Sequence, residues 1–219
     1  MVVFSTIQYP EIPTQDLFGL AKEAGAAGIE WDDTAHLQAG HTKDATNAYW
    51  NTINEKLTPF SLVSNYTLGD KRNIQELFMP VMDSAFALHA SIVRIQPLPI
   101  ASADADYNTV NKAAQELRTI CDMANIFDIE VQVICRPNSL TDSAQSVCSL
   151  LKMANCLNCK CSWQPDPAIS DQDNLASLQA VKRFLGSAVV TPSWKKEYSA
   201  YLENALPNVP LILETGRIN

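Results

Sequence analysis

Short runs of β-branched and apolar residues alternate with helical stretches along the whole of this 219-residue chain. Most runs are nearly continuous in apolar character, which is typical of parallel strands that are covered by helices. We predict eight strands from them, at residues 2–8, 28–33, 59–65, 91–97, 130–136, 159–165, 187–193 and 210–215. Eight strand-to-helix units in sequence are the pattern of a closed (β/α)8 TIM barrel.

The stretches between the runs carry apolar residues at helical spacing. The first helix shows it in Leu17, Leu20, Ala21 and Ala24. Thr14 is the predicted N-cap of that helix, and Ser170 the predicted N-cap of the sixth. We expect the fifth helix to open at Thr141, and Pro80 to kink the third helix or divide it in two.

The last predicted strand is followed by too few residues for a helix. The predicted fold class is therefore a (β/α)8 TIM barrel with the eighth helix missing, formed by a single domain over residues 1–219. The uncovered wall predicts a possible homodimer. The main alternative is an open doubly wound sheet, but the chain has only seven glycines and neither a GxGxxG motif nor a P-loop.

The net charge of the chain limits the classes of partner that it can be expected to bind. A net charge of -8 and a pI of about 4.8 argue against nucleic acid and against an anionic membrane surface. The first residues lack the pattern of a basic leader, and no apolar run approaches the roughly 18 residues of a membrane-spanning helix. We therefore expect a cytoplasmic protein that takes a small-molecule ligand.

Six cysteines in a chain of this length are expected to be free thiols rather than a disulfide framework. Three of them, Cys156, Cys159 and Cys161, form the sequence CLNCKC, for which zinc or a metal cluster is the alternative. The spacing lacks a second CxxC pair. This spacing favours the interpretation that the three cysteines are small residues at the start of the sixth strand.

Charged residues collect where the predicted strands end, the edge at which TIM barrels carry their chemistry. One such junction is residues 130–142, EVQVICRPNSLTD, where a strand passes through a loop into a helix. Three of the six arginines, Arg94, Arg136 and Arg217, lie at or just after strand ends. They suit bidentate capture of phosphate or carboxylate, or they pair with nearby acidic residues as a structural network.

Two carboxylates also interrupt apolar strands, Glu30 in GIEWDD and Glu214 in LILETGR. Such a pair would serve as general acid and base or bind a divalent metal, and each residue would equally serve in a salt bridge. His36 lies in the loop after the second strand, close enough to touch a ligand. We assign it no role.

Four segments in sequence order carry a resemblance to a known family: GIEWDD, RPNSLTDSAQSVCSLLKMAN, SWQPDPAISDQDNLASLQAV and PLILETGR. Together they resemble the sugar phosphate isomerase/epimerase group of xylose isomerase-like TIM barrels. The resemblance covers nearly the whole chain. It implies the barrel fold, carbohydrate metabolism and a sugar or sugar phosphate as the ligand.

The resemblance also implies a divalent metal, held at the ends of strands five to eight by Glu, Asp or its substitute, His and Glu. In this chain Ile134 stands at the first position, with Arg136 at a following His, and Val190 stands where the third ligand belongs. Gln164 falls at or near the second, and only Glu214 matches. Because Ile and Val cannot bind a metal, we expect no metal cofactor.

Two hypotheses of function follow. The first is an isomerase or epimerase in which Glu214 and Glu30 are catalytic. The second is a non-catalytic carbohydrate- or anion-binding protein. For either, the predicted substrate-binding residues are Trp31, Arg94, Arg136, Trp163, Gln164, Trp194 and Arg217, with the three tryptophans stacking on a sugar ring.

Overall fold

The computed structural model describes residues 1–69 and 73–214. Its eight strands are β1 Val2–Ser5, β2 Gly28–Asp32, β3 Thr58–Thr67, β4 Ile92–Gln96, β5 Glu130–Ile134, β6 Cys159–Trp163, β7 Leu185–Val190 and β8 Leu211–Leu213. Each strand pairs in parallel with the next, and β8 pairs with β1, so the sheet closes into a barrel. All eight predicted strands are present.

A helix follows each of the first seven strands. These are α1 Thr14–Glu23, α2 Thr42–Asn54, α3 Ile74–Ala87, α4 Tyr107–Asn125, α5 Ala144–Ala154, α6 Asp171–Val181 and α7 Lys196–Ala205. Within the described ranges, a closed eight-stranded barrel with seven helices confirms the predicted fold class. No helix in this part of the chain is both long and apolar enough to cross a bilayer.

Several predicted boundaries were wrong by a few residues. Strand β1 stops at Ser5, because the chain turns into a short 3-10 helix, Thr6–Gln8. Thr14 is the first residue of α1, and the N-cap is Pro13, which offers no side-chain acceptor. The predicted N-cap of α6, Ser170, is confirmed by a 3.1 Å hydrogen bond from the Asp173 amide.

Two helices differ more from their predictions. Helix α5 begins at Ala144 rather than at Thr141, because the Thr141 hydroxyl donates to the Ile134 carbonyl at 2.8 Å and belongs to the loop. Ser143 closes a capping box at the actual start of this helix. Helix α3 runs through Pro80 as one helix, so the predicted division in two was wrong.

The barrel interior contains a layer of polar side chains. They are Ser5, Glu30, Ser61, Arg94, Gln132, Ser162 and Ser187, all fully buried, and hydrogen bonds join them into two groups. A separate small apolar cluster consists of Val3, Val189 and Ile212, with Phe60 packed against it. TIM barrels usually fill this space with branched apolar residues. Here it contains groups that must be paired by hydrogen bonds or opposite charge.

One half of the polar layer is joined by hydrogen bonds around Gln132. Its Oε1 accepts from the Ser187 hydroxyl at 2.6 Å, and Ser187 also lies 2.8 Å from the Ser162 hydroxyl. The Gln132 amide nitrogen donates to Glu130 at 2.7 Å, and Glu130 pairs with Lys160 at 2.8 Å. The arrangement satisfies both ends of a buried amide.

Gly186 leaves room for this amide, and we expect Gly186→Ala to lower the free energy of unfolding by about 1–3 kcal/mol. A Cβ at residue 186 would lie 2.7 Å from Gln132 Cδ and 3.0 Å from Glu130 Oε1, so the buried amide must move. The matched control is Gly19→Ala in α1, where a Cβ meets nothing within 4 Å. That change is expected to stabilise the helix. Urea unfolding of both variants checks the opposite signs.

Candidate functional site

The centre of the site is the Arg94 network, which consists of Ser5, Glu30, Ser61, Arg94 and Glu214. The Arg94 guanidinium bonds Glu30 Oε1 at 2.6 Å through one terminal nitrogen and Glu214 Oε1 at 3.3 Å through the other. The two serine hydroxyls each donate to Glu30 at 2.8 Å, one to each carboxylate oxygen. One cation therefore lies between two carboxylates.

Burial and the neighbouring charges both shift the pKa values of Glu30 and Arg94. Burial raises the pKa of Glu30 above its usual value, and Glu214 adds to the rise, while Arg94 opposes it. Burial alone would lower the pKa of Arg94, but the attraction of Glu30 and Glu214 is larger and raises that pKa. The guanidinium is therefore charged, and its attraction is the largest influence that lowers the pKa of Glu30.

The structure thus brings together three of the predicted site residues. Glu30 and Arg94 have fully buried side chains, whereas the Glu214 side chain is 14% exposed. Arg94 makes the pairing with acidic residues that was one of the two open alternatives for the strand-end arginines. Of these three groups, Glu214 is the one placed to meet a ligand directly.

Two polar atoms beside this network have no hydrogen-bond partner in the described part of the chain. They are Arg94 Nε, a donor, and Gln96 Oε1, an acceptor, and both are buried. The other end of the Gln96 amide donates to the Ser64 carbonyl at 3.1 Å. Gln96 is the last residue of β4, and a polar residue at the end of an apolar strand is a sequence signal for the rim of the barrel. A donor and an acceptor at this depth suit hydroxyl groups of a ligand.

The loop after β2 is held by a second carboxylate. Asp32 accepts hydrogen bonds from the backbone of Thr34 and Ala35 at 3.0 and 2.8 Å, and it lies 2.5 Å from His36 Nδ1. Burial alone would raise the pKa of Asp32, but these hydrogen bonds outweigh it and lower the pKa. The other ring nitrogen of His36 faces the Ile12 carbonyl at 3.3 Å. His36 therefore joins two loops with both of its nitrogens.

The prediction that Trp31 stacks on a ligand needs correction. Side chains alternate along a strand, so the inward position of Glu30 turns Trp31 to the outer face of β2. There it is fully buried, with its ring 5.8 Å from Phe18 and 6.3 Å from His36. In this structure Trp31 is a core residue between barrel and helix.

The other two predicted stacking residues pack against each other. The Trp163 ring lies 6.2 Å from Trp194 and 5.5 Å from Tyr198, in edge-on contacts. Trp163 is 2% exposed and its indole nitrogen donates to Ser177 at 3.3 Å, so it also belongs to the core. Trp194 is only partly buried and remains accessible.

The remaining predicted binding residues lie mainly around a small peripheral cavity. Arg136, Trp163 and Gln164 line it between the loops that follow β5 and β6, together with Asp142 and Asn174. Its volume is about 30 Å³, which suits a water molecule rather than a sugar. Arg136 itself is exposed. Arg217 lies outside the described residues, so its predicted role stays a prediction.

The residues at the four family positions do not fit a divalent metal. Ile134 and Val190 are apolar and buried, Gln164 lines the peripheral cavity, and Glu214 is bonded to Arg94. Divalent ions need several oxygen or nitrogen ligands converging on one point. Over residues 1–69 and 73–214, no three His, Cys, Asp or Glu side chains are grouped in this way.

The cysteines also give no sign of a metal centre. All six are free thiols, and Cys161 is buried within β6 as predicted. Burial, with Cys121 close by, raises the pKa of Cys156 to about 12. The thiolate is the nucleophilic form of cysteine, so the raised pKa disfavours nucleophilic attack by this thiol at neutral pH.

Comparison with known proteins identifies the fold through structure alone, since no family and no curated protein matches the sequence. The probable 3-DHS dehydratase AsbF from Bacillus anthracis is 16% identical with a TM-score of 0.81, over 98% of this chain and 92% of that one. The 3-keto-D-glucoside 4-epimerase YcjR from E. coli is 11% identical with a TM-score of 0.76, over 100% and 92%. The D-allulose 3-epimerase from Methylomonas sp. is 13% identical with a TM-score of 0.77, over 98% and 84%.

Proposed function

We propose that this chain, whose fold is that of the xylose isomerase-like TIM barrels, binds an uncharged sugar at the barrel mouth without a divalent metal. The observation that carries the proposal is the Arg94 network. Glu214, the residue that matches a metal ligand of the family, is bonded to a guanidinium. The positive charge that a metal would supply beside Glu214 comes from Arg94.

An uncharged sugar suits the mouth better than a sugar phosphate. Capture of a phosphate requires cationic donors that are not already neutralised. Arg94 is shared between Glu30 and Glu214, and Arg136 lies at the peripheral cavity. The Glu214 carboxylate is partly exposed, and Arg94 Nε and Gln96 Oε1 are buried without a hydrogen-bond partner in the described part of the chain. These are donors and acceptors of the kind that recognise hydroxyl groups.

An isomerase or epimerase is the second candidate, favoured by the position of Glu214 beside a buried cation. A partly exposed carboxylate would remove a proton next to a sugar carbonyl, and the Arg94 guanidinium would stabilise the oxyanion that forms. Two of the similar structures are sugar epimerases, which supports a sugar as the substrate. Epimerisation needs a second base on the opposite face, and Glu30 is enclosed on the same side by Arg94 and two serines.

The expected result is that D-allulose raises the midpoint of thermal unfolding, whereas inorganic phosphate, Mn²⁺ and Mg²⁺ leave it unchanged. Glu214→Gln is expected to weaken D-allulose binding about tenfold, because it removes a charged acceptor. The matched control is Glu203→Gln on the exposed face of α7, which should bind like the unchanged protein. A rise of the midpoint with either metal would contradict the metal-free site, and a rise with phosphate would contradict the uncharged ligand.

The same experiment separates the two candidate functions. Incubation of D-allulose with the protein, followed by chromatography for the epimeric ketose, detects catalysis directly. Binding without conversion supports the binding protein, and conversion that Glu214→Gln abolishes supports the enzyme. A cytoplasmic location and a homodimer remain predictions.

A further inference from the structure

A second pocket opens on the mouth side of the barrel, between the ends of β2 and β3. Its volume is about 300 Å³, at the lower end of the range for small-molecule sites. Its lining includes the polar residues Asp33, Ser64 and Asn65 and the apolar residues Leu77 and Val81 of α3. No residue of the Arg94 network lines it.

Asp33 is the acidic group of this pocket. Its side chain accepts two hydrogen bonds and the residue is 9% exposed. Oδ1 accepts from the backbone N–H of Asn65 at 2.8 Å, and Oδ2 accepts from the Ser64 hydroxyl. Both donors are neutral, and the described ranges provide no Lys, Arg or His in an ion pair with Asp33. A carboxylate can accept about four hydrogen bonds, so each oxygen can take a further donor.

Within residues 1–69 and 73–214, the Asp33 carboxylate therefore has hydrogen bonds from neutral donors but no counter-charge. Burial raises its pKa above the usual value, and Asp32 adds to the rise, although the hydrogen bonds from Ser64 and Asn65 oppose it. An uncompensated carboxylate in a half-buried pocket gains most from a ligand that brings a positive charge. A neutral polyol would leave it without a counter-charge.

We propose that this pocket binds the ammonium group of a small amino sugar or amino alcohol, with the Asp33 carboxylate as its counter-charge. The carbon skeleton would lie against Leu77 and Val81. The Asn65 side chain is exposed, and no described residue hydrogen-bonds its amide, so this amide is placed to bind ligand hydroxyls. The inference stands apart from the proposed function, because it uses a different carboxylate and needs a positively charged ligand rather than an uncharged one.

The experiment compares three probes of similar size by calorimetric titration: D-glucosamine, N-acetyl-D-glucosamine and D-glucose. D-glucosamine is expected to bind, and the two uncharged sugars are expected to bind this pocket at least about tenfold more weakly, since a charged hydrogen bond is lost. Asp33→Asn should weaken D-glucosamine binding by a similar factor. Loss of D-allulose binding at the Arg94 network would not affect this result.

A second variant guards against misfolding of Asp33→Asn. Asn65→Lys places a tethered ammonium beside Asp33 from an exposed position, and it should abolish D-glucosamine binding while the fold persists. Its control is Asn204→Lys on α7, an exposed position remote in sequence that adds the same charge and should leave binding unchanged. Equal binding of the three probes, or D-glucosamine binding that survives both pocket variants, would overturn the proposal.

Discussion

Arg94→Met is expected to lower the free energy of unfolding by about 3–5 kcal/mol at neutral pH, because it leaves a buried carboxylate without its cation. Glu30 is fully enclosed and would keep only the hydrogen bonds from Ser5 and Ser61. Urea unfolding measures the loss. Arg183→Met, which removes an exposed arginine, should change stability by less than about 0.5 kcal/mol.

The loss in Arg94→Met should depend on pH in a defined direction. The folded pKa of Glu30 is already raised, and removing Arg94 removes the main attraction that opposes the rise. The folded variant therefore binds a proton more tightly than its unfolded chain, so its stability is greatest in acid and falls as pH rises towards that folded pKa. The deficit relative to the unchanged protein should shrink as pH is lowered. A deficit that does not vary with pH would contradict a charged Glu30.

The double variant Glu30→Leu with Arg94→Met tests whether the loss comes from the unpaired charge. Replacing both members of a buried ion pair by apolar residues is often neutral. We expect the double variant to recover more than half of the stability lost in Arg94→Met. A double variant as unstable as the single one would show that packing rather than charge sets the loss.

Trp31→Ala is expected to lower the free energy of unfolding by about 3–5 kcal/mol, the range for deleting a buried aromatic side chain. The indole is fully buried and packs edge-on against Phe18 of α1. Chemical unfolding checks the value.

Trp50→Ala is the matched control, because Trp50 is 56% exposed on α2. It should cost less than about 1 kcal/mol. Sugar binding adds a second readout, since a tryptophan that stacks on a ligand would affect affinity more than stability. If Trp31→Ala abolished D-allulose binding while its unfolding curve stayed unchanged, the placement of Trp31 in the core would be wrong.

The barrel was predictable because its signal repeats eight times along the chain. Each of the first seven strands is a short, mostly apolar run followed by a helix. An error at one end, as at Thr14 or Thr141, leaves the count unchanged. Loops gave poorer predictions, because their ends depend on single hydrogen bonds such as that from Thr141 to the Ile134 carbonyl. Spacing along the sequence does not encode these bonds.

The site was only partly predictable for a related reason. The sequence placed Glu30, Arg94 and Glu214 at strand ends, and the closed barrel brings them into contact. It did not show that Trp31 and Trp163 face outward, because strand parity shifts with every bulge, and bulges occur between β2 and β3 and between β6 and β7. The pocket beside Asp33 combines the loop after β2, the end of β3 and helix α3, so no single sequence motif predicts it.

The ion pair between Arg94 and Glu214 joins residues 120 positions apart in the chain. Glu30, by contrast, is 64 positions from Arg94 and precedes it, so that pair is available as soon as the first half of the barrel has been synthesised. Contacts of long sequence separation form late in folding, because the loop that they close costs the most entropy. Docking of β8 therefore both completes the ring of strands and adds the second carboxylate to Arg94. The complete Arg94 network therefore exists only once β8 has paired with its neighbouring strands.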